Sequence, residues 1–186
     1  FDDSNNKGYD VNIVGIRNSE TKDRVTNKFD DCVTISYKKD GKWKFFCFDA
    51  TTDPGDDYMD NPIVKEKGCA ILKEGQYRGS HKIRLHAGKY PALGQKKPVT
   101  VFRDNDRDGK YTRNDGDTDT GLFGINIHRA TSRAGKTSTY VDKWSAGCQV
   151  IASNDDWKKF LAICEKARDI HGNSFSYTLI QSKDIS

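Results

Sequence analysis

Cys148 and His128 stand twenty positions apart and together could form an activated nucleophile. Cys148 sits in Trp144-Ser145-Ala146-Gly147-Cys148-Gln149-Val150, where small neighbours leave the sulfur approachable and an apolar exit reads as a strand. His128 closes Gly124-Ile125-Asn126-Ile127-His128, a strand ending in an imidazole where a chain leaves a sheet for solvent and can face an adjacent cysteine. In such a pair the imidazole takes the thiol proton, the thiolate attacks a carbonyl, and backbone N–H groups at the turn hold the oxyanion. A thiol so paired is expected to alkylate well below the pH an ordinary thiol requires. The competing reading makes His128 a strand-end residue bonded to a carbonyl and Cys148 a buried thiol in a tight turn; it leaves the run of small residues without a purpose.

A second candidate lies in Asp104-Asn105-Asp106-Arg107-Asp108-Gly109. Carboxylates at positions 1, 3 and 5 followed by a glycine match the opening of a calcium loop, with the Lys110 carbonyl at position 7 and Asp115, in place of a bidentate Glu, at position 12. No helix is expected on either side, so a full EF-hand is not. The alternative is a solvated charged turn whose repulsion is relieved by Arg103, Arg107, Lys110 and Arg113. A bound calcium ion would shape the loop leading to His128 and do no chemistry, so catalysis itself calls for no cofactor.

The elements that must position these groups are mostly strands. VNIVGI, CVTISYK and KWKFFCF are β-rich, the last two joined through Asp40-Gly41, a pair that supplies the positive φ angles of a tight hairpin. GCAILKEGQY, HKIRLH, PVTVFR and LFGINIH continue the pattern, and FSYTLI closes the chain. Residues 49–62 gather Asp, Pro and Gly into a long loop, either functional or mobile. One segment reads firmly as a helix: Ser153 as N-cap, then Trp157, Phe160, Leu161 and Cys164 at helical spacing, ending at Gly172. The expected class is mainly β, with mixed sheets or a sandwich and one prominent C-terminal helix.

Composition sets the outer bounds. The 186 residues fit one domain, Ile, Leu, Val and Phe supply about a fifth of them, and 20 aromatics supplement that core. Net charge is only +4, with 31 basic and 27 acidic side chains interleaved, so no basic stripe for nucleic acid is expected. No apolar run approaches the roughly eighteen residues a membrane span needs. The chain opens on Phe1 and not Met, so a mature or trimmed product is expected, which leaves room for a removed export signal. Cys32, Cys47, Cys69, Cys148 and Cys164 form no CxxC pair or zinc-finger spacing. Cys32, Cys47 and Cys164 fall in apolar periodic segments and are expected to be small buried hydrophobes, with disulfide pairing as the alternative. Nothing in the chain speaks to oligomeric state.

His128, sixteen intervening residues, then Ser145-x-Gly147-Cys148 resembles the signature of L,D-transpeptidase catalytic domains (the YkuD-type fold), in which a histidine precedes Ser/Thr-His-Gly-Cys. The runs GLFGINIHRA and WSAGCQVI are also similar to phage and bacterial relatives of that family, and the similarity reaches back through GQYRGSHKIRLHAGKYPALGQ and VTVFRD. It covers roughly residues 68–180; residues 1–67 have no counterpart and are expected to be an added β element or a divergent part of the same sheet system. The resemblance implies that Cys148 is the nucleophile and His128 its base, steered by a backbone carbonyl near Arg129, with the oxyanion against the amides of Gly147 and Cys148. The implied substrate is a peptidoglycan stem peptide, and the implied place of work is the cell envelope, periplasmic or extracellular, or the cell wall reached by a phage-encoded enzyme.

The chain departs from the family pattern in two places. Ala146 replaces the second histidine of the motif, and Gln149-Val150 replaces the usual apolar-then-Arg/Asn pair, so substrate anchoring must differ. Ser145, Gln149 and Trp144 are candidate substrate contacts. His86 would fill the space of the missing histidine or pack beside Tyr90, and Arg103 would bind a substrate carboxylate or serve as counter-ion to the aspartates. Two rivals stand beside this reading. A papain- or NlpC-like cysteine peptidase is disfavoured because there the cysteine precedes the histidine. A calcium-stabilised wall-binding or virion module would keep the scaffold without turnover.

Overall fold

A computed structural model describes residues 7–105, 110, 112–113 and 117–185. In chain order it contains β1 (Asn12–Arg17), β2 (Asp31–Lys39), β3 (Lys42–Thr51), α1 (Asp56–Asp60), β4 (Cys69–Leu72), β5 (Gly75–His86), β6 (Tyr90–Gln95), β7 (Val99–Asp104), β8 (Thr118–Gly121), β9 (Ile127–Arg129), β10 (Gln149–Ile151), α2 (Asn154–His171) and β11 (Phe175–Gln181). The chain is mainly β with one prominent C-terminal helix. Its two sheets are a closed barrel, ordered β1-β11-β5-β6-β9-β10-β3-β2, and a three-stranded sheet ordered β4-β7-β8. Three of the eight staves come from residues before position 68, and β1 joins the C-terminal β11 in parallel register.

Period-two alternation builds the barrel. Ile13 on β1, Val33 and Ile35 on β2, Phe48 on β3, and Phe175, Tyr177 and Leu179 on β11 are buried in one core, while Phe45, Cys47 and Asp49 of β3 face out. The β2–β3 hairpin turns on Asp40 and Gly41, both at positive φ (51° and 71°), the geometry the Asp-Gly pair favours. Gly15 sits inward opposite Tyr177, whose hydroxyl occupies the space a Cβ would need. Helix α2 starts where the Ser153 hydroxyl accepts from the Asp156 amide and stops at Gly172, and it lays Trp157, Phe160, Ile163, Cys164 and Ala167 on the barrel core.

One part of the interior is ionic. Arg17 is fully buried; it donates to Thr52 Oγ1 (2.9 Å) and the carbonyls of Leu72 (3.0 Å) and Thr52 (2.9 Å), and pairs with Glu74 (2.7 Å) and Asp53 (3.3 Å). Arg113 reaches in from the acidic loop and grips Asp53 through Nε (2.8 Å) and a terminal nitrogen (2.6 Å). Arg113, one of the basic groups near the acidic loop, is engaged here: a buried carboxylate without a partner is costly, and Asp53 takes both arginines. Residues 49–62, read from the sequence as one long loop, contain the end of β3, the buried Asp53 and α1.

Candidate active site

β9 and β10 are parallel neighbours, with Ile127 opposite Gln149 and His128 opposite Val150. Ile127 and Gln149 turn into the barrel, where Ile127 joins the core and the Gln149 amide oxygen accepts from the Tyr177 hydroxyl at 2.8 Å. Alternation then sends Asn126, His128 and Cys148 to the outer face of the same two strands, which in a sheet lie about 4.8 Å apart. The parallel pairing of β9 and β10, and not chain proximity, sets the segment that carries the imidazole beside the segment that follows the thiol.

His128 is held by its backbone neighbour. Its Nδ1 lies 2.8 Å from the Arg129 carbonyl, so Nδ1 carries the hydrogen and Nε2 is left as the base. The Tyr90 hydroxyl lies 3.4 Å from the same nitrogen, and His86 stacks on the imidazole with ring centroids 4.2 Å apart. His86 also packs on Tyr90 (5.4 Å) and accepts from the Asn126 side-chain amide at 3.3 Å, so it takes the packing place beside Tyr90. Burial, reinforced by His86, pushes the His128 imidazole down to about 4.

Cys148 is half-buried, and its thiol donates to the Gly124 carbonyl at 3.3 Å. Burial pushes this thiol up to about 11, against the pull of the Asn126 backbone amide. Burial thus favours the neutral form of both the Cys148 thiol and the His128 imidazole. Against the expected ready ionisation, the loss of water is the dominant influence on this sulfur.

The turn before the cysteine is built for shape. Gly147 has φ 117°, and a Cβ there would collide with the Ala70 carbonyl oxygen. Its amide donates to Ser145 Oγ (3.1 Å), which donates to the Cys148 carbonyl (2.8 Å). The Ser145 carbonyl accepts from the Gly55 amide at 2.9 Å. Ser145 is fully buried and Gln149 equally so, its amide nitrogen directed at the carbonyls of Gly147 (3.3 Å) and Thr52 (3.5 Å). Both are corrected from substrate contacts to internal supports: a one-residue step in strand phase puts Gln149 inside, and the Gly147 amide, already bonded, does not face a ligand.

Grooves open on two sides of this centre. One of about 430 Å³ is lined by His86, Lys89, His128, Arg129, Lys143 and the exposed Trp144 among others, all its charged residues basic; the Arg129 guanidinium lies over the Tyr90 ring at 4.1 Å. The other, about 240 Å³, runs from Ala146 to Phe123 and is walled by Ile63, Val64 and Leu122 with Arg103 beside them. Arg103 is 7% exposed. It lies over the Phe123 ring (4.7 Å) and shares Asp119 with Lys67, each at 3.2 Å, while its Nε has no hydrogen-bond partner among the described residues. Arg103 is thus a counter-ion to Asp119.

Of the calcium candidates, Asp106, Asp108 and Asp115 lie outside the described residues. Asp104 ends β7 opposite Cys69, and Lys110 is exposed. Among the described residues no three His, Cys, Asp or Glu side chains are grouped to hold a metal ion, and no helix is long and apolar enough to cross a membrane.

Sequence reasoning missed three supports. Asn126 shares its strand face with His128, a period-two signal present in GINIH. Tyr90 was seen only as a packing partner. Gln95 is buried and accepts from the amides of Phe123 (3.1 Å) and Ile125 (2.9 Å), fixing the segment whose Gly124 carbonyl holds the thiol; no local signal marks it. Set against protein-family models, curated proteins and solved structures, the chain matches none.

Proposed function

We propose that this protein is a cysteine-dependent acyl-transfer enzyme acting on the stem peptides of peptidoglycan, at the cell envelope or at a wall to which a phage delivers it. The observation that carries the reading is the 2.8 Å contact of His128 Nδ1 with the Arg129 carbonyl, which assigns the basic lone pair to Nε2, on the strand paired with the one that leaves Cys148. As Sγ attacks the substrate carbonyl, Nε2 takes its proton; the imidazolium then gives that proton to the departing amine, and the acyl group remains as a thioester on Cys148. An amine acceptor completes a cross-link and water completes a trimming reaction. The Cys148 amide is the donor available for the oxyanion at a turn whose Gly147 amide is engaged. The basic groove suits the carboxylates of a stem peptide, and Arg103, with an unpaired Nε beside apolar walls, suits a carboxylate on a small leaving residue.

Purified muropeptides incubated with the protein should lose a terminal D-amino acid or gain a cross-link by mass, and Cys148→Ala should abolish the change. A second reading, a wall-binding or virion module without turnover, draws on the thiol being raised to about 11 and bonded to a carbonyl. Retention of the protein on wall material with no mass change in the muropeptides would select it.

A further inference from the structure

Cys32 and Cys47 depart most from the sequence expectation: Cys47 is exposed and Cys32 half-buried, neither a core hydrophobe. They lie on the paired strands β2 and β3, where Cys32 stands opposite Asp49 and Cys47 opposite Thr34, so they are diagonal neighbours. Alternation puts both on the outer face, since the intervening Val33 and Phe48 enter the core. Diagonal neighbours stand roughly 7–8 Å apart at Cα, and a disulfide spans about 4.4–6.8 Å. Sheet twist shortens one of the two diagonals, and Cys47 is close enough to act on the ionisation of Cys32, which agrees with this diagonal being the short one.

We propose that Cys32 and Cys47 are a modification site that closes to a cross-strand disulfide under the thiol–disulfide conditions of an oxidising compartment. With a glutathione-type disulfide as oxidant, the exposed Cys47 thiolate attacks one sulfur and expels one glutathione thiolate; the Cys32 thiolate then attacks Cys47 Sγ and expels the second. Two protein thiols are oxidised, one disulfide is reduced, and two protons leave. Burial, Cys47 and the nearby Asp31 and Asp49 push the Cys32 thiol up to about 12, so the second step is the slow one and quickens with pH. The bond would fasten the hairpin whose β3 strand, at Ala50 and Thr51, pairs with the strand following Cys148. The inference does not depend on acyl transfer.

The test is a count of free thiols in denaturant after equilibration of the whole protein with reduced and oxidised glutathione. The count should fall from the five of the sequence to three, with peptide mapping locating a 32–47 link. Cys32→Ser should stop at one glutathione on Cys47, and Cys47→Ser, at an exposed position, should form no internal bond. Five surviving thiols, a lost pair mapped elsewhere, or a stable glutathione adduct on Cys47 in the unsubstituted chain would each overturn it.

Discussion

A thiol lifted to about 11 changes how Cys148 must meet a small electrophile. Alkylation by iodoacetamide proceeds through the thiolate. An ordinary cysteine near 8.5 is about 3% ionised at pH 7, whereas one near 11 is ionised in about one molecule in ten thousand. The Cys148 rate at pH 7 should therefore lie on the order of 10²- to 10³-fold below that of an exposed cysteine, rising about tenfold per pH unit toward 10. Turnover should behave differently, because Nε2 of His128 removes the proton only during attack on a bound carbonyl; activity should persist to mild acid and fail as pH approaches about 4, where the imidazole protonates. His128→Ala should then lower kcat/KM by about 10²–10⁴-fold while leaving the iodoacetamide rate unchanged. Rates followed by mass spectrometry of the Cys148 peptide across pH 5–10 decide the matter. Fast alkylation at pH 6, or a rate that drops with His128→Ala, would mean a standing thiolate–imidazolium pair and refute the neutral site.

Further outcomes follow from the same contacts. Gly147→Ala forces a side chain onto the Ala70 carbonyl at φ 117°, so it should cost at least about 1–3 kcal/mol, read as a lower denaturant midpoint, and reduce activity with it. Acid should weaken the fold: His81 and His128 are held near 4 by burial but protonate near 6.5 when unfolded, so the unfolded state binds the extra protons and stability falls as pH drops from about 6.5 toward 4. Asp31, raised to about 6 by burial and Asp53, takes up its proton in the folded state first and opposes that fall; Asp31→Asn should steepen it, measured by urea midpoints at successive pH values. If the acidic loop binds calcium in the native state alone, a chelator should lower Tm and added calcium restore it; an unchanged melt removes calcium from the account.

Much of the scaffold was legible where the signal is local. The Asp40-Gly41 turn and the helix from Ser153 to Gly172 depend on φ preference, a capping hydroxyl and helical spacing. Strand β6 was not legible: Pro91 and Gly94 lower its strand propensity, and Gly94 is there because the Arg84 side chain crosses the space of a Cβ. Cys47 read as buried because its neighbours are aromatic, yet Phe46 and Phe48 stack together while Phe45 and Cys47 face water. A strand's face is fixed by its partners, and one step of phase reverses it.

The sequence by itself determined that a small-residue turn would precede Cys148 and that the class would be mainly β with a C-terminal helix, since turn conformation and periodicity are properties of adjacent residues. Tertiary structure alone decided that β9 and β10 pair in parallel, that Ser145 and Gln149 serve the interior, that Arg113 is spent on Asp53, and that thiol and imidazole rest uncharged. Each of these depends on which distant groups displace water from a side chain, and desolvation is set by three-dimensional neighbours that no local stretch of sequence contains.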